Sequence, residues 1–223
     1  KEAIGGSIIA TNTTVNVTAG SDSHKGRNGA ENGTVIINGS TEGVVVMVAY
    51  ITYPGSDYYY AFASLAEAIK FAKAGDTITL LRDITSSEII TIDKAITLDG
   101  NGKTLTSTAG RAINVSGANG VTIKNLTINA SGERAINIIQ NATNVTIENV
   151  TATAANYTVN VASSAPNAVV AIKNSTLNGL CTVNVSAAGA NVTVDNSTIN
   201  CNDNNTTGGE AYAALSLNKD AVG

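Results

Sequence analysis

The sequence predicts an all-β chain wound as a parallel solenoid, one coil for each 22–25 residues. Three observations predict it. A strand-ending block recurs on that step, a second strand recurs on the same step, and the composition supplies a thin aliphatic core with little charge. Of the 223 residues, 43% are hydrophobic, 13% charged and 4% aromatic, with no Trp and a formal net charge of −4. The charged fraction is about half of ordinary usage. Asn (27) and Thr (28) are far above it. The hydrophobic fraction excludes disorder driven by charge. The balance of 13 Lys+Arg against 17 Asp+Glu excludes the basic footprint of a nucleic-acid binder. The longest apolar run, Val44 to Ile51, is far short of the ~20 residues that span a bilayer as a helix.

The first strand of the repeat is Val121-Thr122-Ile123-Lys124-Asn125. It returns as Val145 to Asn149, Val170 to Asn174 and Val192 to Asn196, with steps between the Asn residues of 24, 25 and 22. An earlier copy is Ile96-Thr97-Leu98-Asp99-Gly100, and Ile78-Thr79-Leu80 is expected to be the first. The second strand is Ala112-Ile113-Asn114-Val115. It returns at 135–138, 158–161 and 182–185 and is preceded by Ile90-Thr91-Ile92. A third apolar position follows each block at Ile128, Ala152, Leu177 and Ile199.

The step is too short for a strand–helix–strand unit of about 30 residues, and the strands alternate with period 2. Such a unit cannot bury its apolar face alone but can when stacked on copies of itself. Ile123, Ile147, Ile172 and Val194 should then stack inside at about 4.8 Å, in a rod of about 25–30 Å. The outward column Asp99, Lys124, Glu148, Lys173, Asp195 alternates in sign, as cross-strand pairing favours. The Asn column at 125, 149, 174 and 196 tolerates left-handed backbone and can bond amide to amide up the stack.

One segment reads as a helix, residues 64–74. Ser64 is placed as N-cap with Glu67 three residues on. Leu65, Ala68, Ile69 and Ala72 share one face, and Gly75 stands at the C-terminal stop. The helix should cover the open apolar end of the first coil. Before it, Met47 to Tyr53 and Tyr58 to Phe62 flank Pro54-Gly55-Ser56-Asp57 as a hairpin. Residues 1–45 fit no repeat; Thr13 to Thr18 and Thr34 to Ile37 read as strands, with a polar loop holding His24. Leu215-Ser216-Leu217 reads as one more strand. No signal peptide is visible, the chain opens at Lys1, and no terminal cap follows. The expectation is a mature or trimmed piece of a longer surface protein. Residues 1–57 are an N-terminal segment or capping layer, and 58–223 the solenoid.

The stretch Tyr60 to Ile84 (YAFASLAEAIKFAKAGDTITLLRDI), followed by Ala95 to Thr106 (AITLDGNGKTLT), resembles the N-terminal cap and first coils of pectin-lyase-like proteins, in particular bacterial secreted and cell-surface members. The resemblance spans about residues 58–217. It implies a single-stranded right-handed parallel β-helix and an extracellular or cell-surface location. It fixes no function, because that fold hosts lyases, hydrolases, adhesins and stalks.

The hydrolases of that family carry clustered Asp residues and a G-H-G segment, which this sequence lacks; His24 reads as an ordinary surface histidine. The lyases use Ca²⁺ with an Arg or Lys base. Here Arg111 and Arg134 lie one coil apart above Glu88, a pattern that also fits a corner salt bridge. Asp93, Asp99, Glu133, Glu148 and Asp195 are spread over different columns, and the three that share one are separated by Lys124 and Lys173, so no three converge on a hard cation. Tyr50, Tyr53, Tyr58, Tyr59 and Tyr60 cluster at the hairpin, where they either stack on a sugar ring or pack on the cap. The seventeen Asn-x-Ser/Thr triplets follow from the repeat and are glycosylation acceptors only in a glycosylating source. Cys181 and Cys201 are one coil apart and two columns out of register; packed thiols and a bridge both remain open.

The expected function is a non-catalytic extracellular module acting as stalk, adhesin or glycan-binding surface. It needs no cofactor, and its partner is a polysaccharide or host glycan. The competing expectations are a Ca²⁺-dependent lyase or a hydrolase acting on acidic glycans, and a carbohydrate-binding domain of a larger enzyme. The candidate ligand surface comprises Tyr53, Tyr58, Tyr59, Tyr60, Arg111 and Arg134.

Overall fold

The structure is a computed structural model describing residues 8–10, 35–37, 47–52, 59–202 and 213–218. His24, Thr13 to Thr18 and the Pro54 to Asp57 turn lie outside the described residues, as does the boundary expected at residue 57. Ile8–Ala10 and Val35–Ile37 pair in parallel as a separate two-stranded sheet.

The β-branched residues that alternate along each repeat drive two stacks of parallel strands. One is a six-stranded sheet, in the order Leu215–Leu217, Val183–Val185, Tyr157–Val161, Arg134–Ile139, Arg111–Ser116, Ile90–Ile92. Its register places Ile113 beside Ile90 and Ile136, and Val159 beside Ile136 and Val183. The other is a twelve-stranded sheet built on the V-x-I-x-N blocks. There Ile123 pairs with Leu98 and Ile147, Ile147 with Ile172, and Ile172 with Val194. The third apolar column stacks as Leu105, Ile128, Ala152, Leu177, Ile199. All three columns meet in one core, where Ile123, Ile136, Ile147 and Leu105 have no exposed surface. Val194, expected inside with them, is instead 38% exposed, because its strand is the outermost described one of the twelve-stranded sheet.

The first copy differs from the expectation. Ile78, not Leu80, stands opposite Leu98, and Thr79 stands opposite Asp99. The first strand is thus offset by two residues, which keeps the same face inward because the side-chain period is two. Both Ile78 and Leu80 are fully buried.

The strands Thr122–Ala130 and Val145–Thr153 run through the Asn column without breaking. They bend there, and the strands Val169–Lys173 and Asn191–Asp195 end there, because Asn125, Asn149, Asn174 and Asn196 hold φ of 52°, 52°, 48° and 44°, the left-handed region Asn tolerates best after Gly. The earliest coil has Gly100 at this level instead. A Cβ there would lie 2.5 Å from the Asn125 carbonyl oxygen, so no larger residue fits. Asn101 takes the left-handed turn in its place, at φ 51°.

The helix is Leu65–Phe71, shorter at its C-terminal end than the spacing predicts. Ser64 caps it, its hydroxyl accepting the Glu67 N–H at 3.2 Å. Leu65, Ala68 and Ile69 are buried against the first coil. Its C-terminal carbonyls are taken by Lys94, which donates from Nζ to the oxygens of Ile69 (2.8 Å), Lys70 (3.0 Å) and Ala72 (3.1 Å). A cation at a helix C-terminus also meets the negative end of the helix dipole. The hairpin is present: Ala49–Thr52 pairs antiparallel with Tyr59–Phe62 and, on its other side, with Thr77–Leu80.

The far end contrasts with this covered one. Val183 and Val185 are buried, but their stacked neighbours Leu215 and Leu217 are 56% and 70% exposed.

Candidate functional site

Arg111 and Arg134 begin equivalent strands of the six-stranded sheet and stand directly opposite each other; Tyr157 follows Arg134 in the next coil. Neighbouring strands are only about 4.8 Å apart, so the two arginines leave the backbone on successive rungs. Like charges placed directly opposite are destabilising. The Arg134 guanidinium lies 5.5 Å from the Tyr157 ring centre, within cation–π reach. Among the described residues its carboxylate neighbour is the exposed Glu133, 3.9 Å away. Glu88, expected beneath the pair, forms no ion pair with Arg111, and Ser86 takes its backbone N–H instead. The Nε atoms of both arginines are buried without a hydrogen-bond partner.

Beside the arginines runs a column of amides. Asn137 donates to Asn114 at 2.9 Å, Asn160 to Asn137 at 2.8 Å and Asn184 to Asn160 at 2.7 Å. Asn137 and Asn160 are buried. Arginines, Tyr157 and amides together line a groove of about 370 Å³ along this face. Fixed guanidinium donors next to a rigid amide column suit an anionic, hydrogen-bonding ligand.

The other expected residues lie elsewhere. Tyr59 and Tyr60 belong to the hairpin strand on the twelve-stranded sheet. Tyr59 meets Tyr50 edge-on at 5.5 Å, and Tyr60 packs on Phe71 of the helix at 4.9 Å. Tyr53 and Tyr58 lie outside the described residues. Tyr157 was not among the sequence candidates. The signal for it was its position, 23 residues after Arg134 in the column that joins Arg134 to Arg111.

The second amide column marks the bend. Asn125 donates to Asp99 at 3.0 Å and Asn149 to Asn125 at 2.8 Å; higher up, Asn196 donates to Asn174 at 2.6 Å. Asp99 also accepts the Asn101 N–H at 2.8 Å and pairs with Lys124 at 3.3 Å. Burial alone raises the Asp99 carboxyl, but Asn101, Asn125 and Lys124 together outweigh it and hold it below the ordinary carboxylate range. Lys124 stands opposite Glu148, Glu148 opposite Lys173 and Lys173 opposite Asp195, so the alternating column is in register. Among the described residues no three of His, Cys, Asp and Glu gather where they could hold a metal.

Fold and face together define a parallel β-solenoid with an arginine-bearing groove on its six-stranded side. Comparison with protein-family models, with curated proteins and with solved structures finds no match for this chain.

Proposed function

We propose that the chain is a non-catalytic, extracellular or cell-surface module of pectin-lyase-like type whose six-stranded face binds anionic glycan. The observation that carries this reading is the in-register pair Arg111 and Arg134, whose buried Nε atoms lack partners. Two adjacent guanidinium groups oppose folding, and a carboxylated or sulfated sugar would relieve that repulsion through bidentate pairing. Tyr157 offers a ring edge, and the amide column offers donors and acceptors for sugar hydroxyls.

Calorimetric titration with oligogalacturonate, a sulfated glycosaminoglycan fragment and neutral dextran tests the reading. Binding is expected for the anionic sugars alone. Arg111→Gln and Arg134→Gln should each weaken it about tenfold, which is the loss of about 1.4 kcal/mol. Equal affinity for dextran, or unchanged affinity in both variants, would reject the reading. The same sugars incubated with and without Ca²⁺ separate binding from cleavage, since released product would favour the lyase alternative.

A further inference from the structure

The chain has two cysteines, Cys181 and Cys201, and the fold brings them to one corner of the last complete coil. Cys201 ends the strand Thr198–Cys201, opposite Gly179. Cys181 lies two residues beyond Gly179, in a tight corner closed by the Thr182 hydroxyl donating to the Gly179 carbonyl at 3.2 Å. Two contacts straddle Cys181. The Cys201 thiol donates to the Leu180 carbonyl at 2.9 Å, and the Thr182 hydroxyl donates to the Asn200 carbonyl. A carbonyl oxygen sits about 2.8 Å from the next Cα across a trans peptide. The Cys201 sulfur is therefore within about 5.7 Å of the Cys181 Cα, given the 2.9 Å contact and that geometry. A disulfide asks for Cα atoms about 4.4–6.8 Å apart. Cys201 pairs with Gly179, two residues from Cys181, so a bridge requires the Cys201 sulfur to leave the Leu180 carbonyl and turn toward Cys181.

We propose that Cys181 and Cys201 are an oxidation site, and that their disulfide clamps the final coil of the solenoid. The bridge would enclose the strands Val183–Val185 and Asn191–Asp195 within a single covalent loop. That end needs a clamp more than any other described part. Its outermost strand, Leu215–Leu217, makes three register pairs on one side only and leaves both leucines exposed.

The two thiols differ in access, which orders the chemistry. Cys201 is half-buried, whereas Cys181 is 4% exposed. Burial raises the Cys181 thiol above its ordinary value, and a Cys201 thiolate nearby would raise it further. Cys201 should therefore react first. With a low-molecular-weight disulfide as oxidant, the Cys201 thiolate attacks one of its sulfurs, forms a mixed disulfide and releases one thiolate. Cys181 then loses its proton, its sulfur attacks the Cys201 sulfur, and the second thiolate leaves. The protein loses two protons and two electrons, and the oxidant takes them up to become two thiols.

The test incubates the full chain with oxidised glutathione, then denatures, alkylates and weighs it. Wild type is expected to be two hydrogens lighter, to resist alkylation and to carry no glutathione, with a 181–201 linked peptide on digestion. Cys181→Ser should accumulate one glutathione on Cys201, and Cys201→Ser should stay unmodified over the same period. In the bridged chain, amide exchange at Leu215–Leu217 should slow. A wild-type chain that keeps glutathione on Cys201, or keeps both thiols open to alkylation, overturns the site. Bridging with no change in exchange overturns the clamp.

Discussion

Replacing Asn160 with Leu tests the buried amide column. Asn160 is 4% exposed, donates to Asn137 at 2.8 Å and accepts from Asn184 at 2.7 Å. Leu has the same branched shape as Asn but is larger, so the change removes two hydrogen bonds without opening a cavity, and any overpacking adds to the loss. Asn184 keeps a second acceptor in the Ser186 hydroxyl, 3.1 Å away. The Asn137 amide oxygen has no such alternative and becomes a buried orphan, in a residue 2% exposed. An orphaned buried polar group costs about 1–3 kcal/mol. With the second lost bond, the expected destabilisation is about 2–3 kcal/mol, a fall in Tm of about 4–12 °C for a chain of this size. Asn149→Gly is the internal control. Asn149 sits in an exposed amide pair at φ 52°, which Gly adopts without strain, so its loss should stay within about 0.5 kcal/mol. Differential scanning calorimetry of both variants decides between them. Equal destabilisation would mean that burial is not what gives the column its value, and an unchanged Asn160→Leu would mean that the column does not stabilise the fold.

Ile147 is fully buried between Ile123 and Ile172, so Ile147→Asp places an unpaired charge in the core at a cost of several kcal/mol; circular dichroism should show an unfolded chain at 25 °C. The Asp99 carboxyl lies below its ordinary range in the fold, so the stability it contributes is present above the unfolded value of about 3.9 and lost as pH falls through the folded value. Urea titrations below pH 4 should therefore show a shallower acid-induced loss in Asp99→Asn than in wild type, and parallel curves would remove Asp99 from the acid response. Lys94→Met keeps the apolar stem but releases the three helix carbonyls; a loss of about 1–2 kcal/mol is expected from the broken charged bonds, read as early exchange of the helix amides. A chain beginning at Asp76 loses the helix and bares the buried edge around Ile78 and Leu80, and should oligomerise on size-exclusion chromatography through its unpaired strand edge.

What was legible in the sequence was whatever repeats. Ile123, Ile147 and Ile172 align because an inward position tolerates few residue types, and the register pairs them as aligned. Val194 keeps the register but not the burial, because its strand ends the sheet. The same alignment slipped at the first coil, because Ile78 and Leu80 both face inward and a two-residue shift leaves the hydrophobic pattern unchanged. Contacts between distant segments left no periodic trace. Nothing near Lys94 marks it as the cap of a helix more than twenty residues earlier, a contact that ties the helix end to the coil alongside the buried apolar face.

The arginine face shows the same limit from the other side. The Asn114, Asn137, Asn160 and Asn184 column is visible in the sequence as a repeat, but its ladder of amide bonds is not. An Asn in mid-strand is a residue that strands disfavour, and its return in four coils signals a neighbour that satisfies it. Arg111 and Arg134 break a second local rule, that like charges do not oppose each other across a strand pair. Where a sequence keeps every other column consistent and breaks the rule in one, the break marks the place where the fold gives up stability for something else. In this solenoid the broken rule falls in the groove lined by the two arginines, Tyr157 and the buried amides, which is why the proposed glycan reading rests there. It is the face on which a ligand would have most to stabilise.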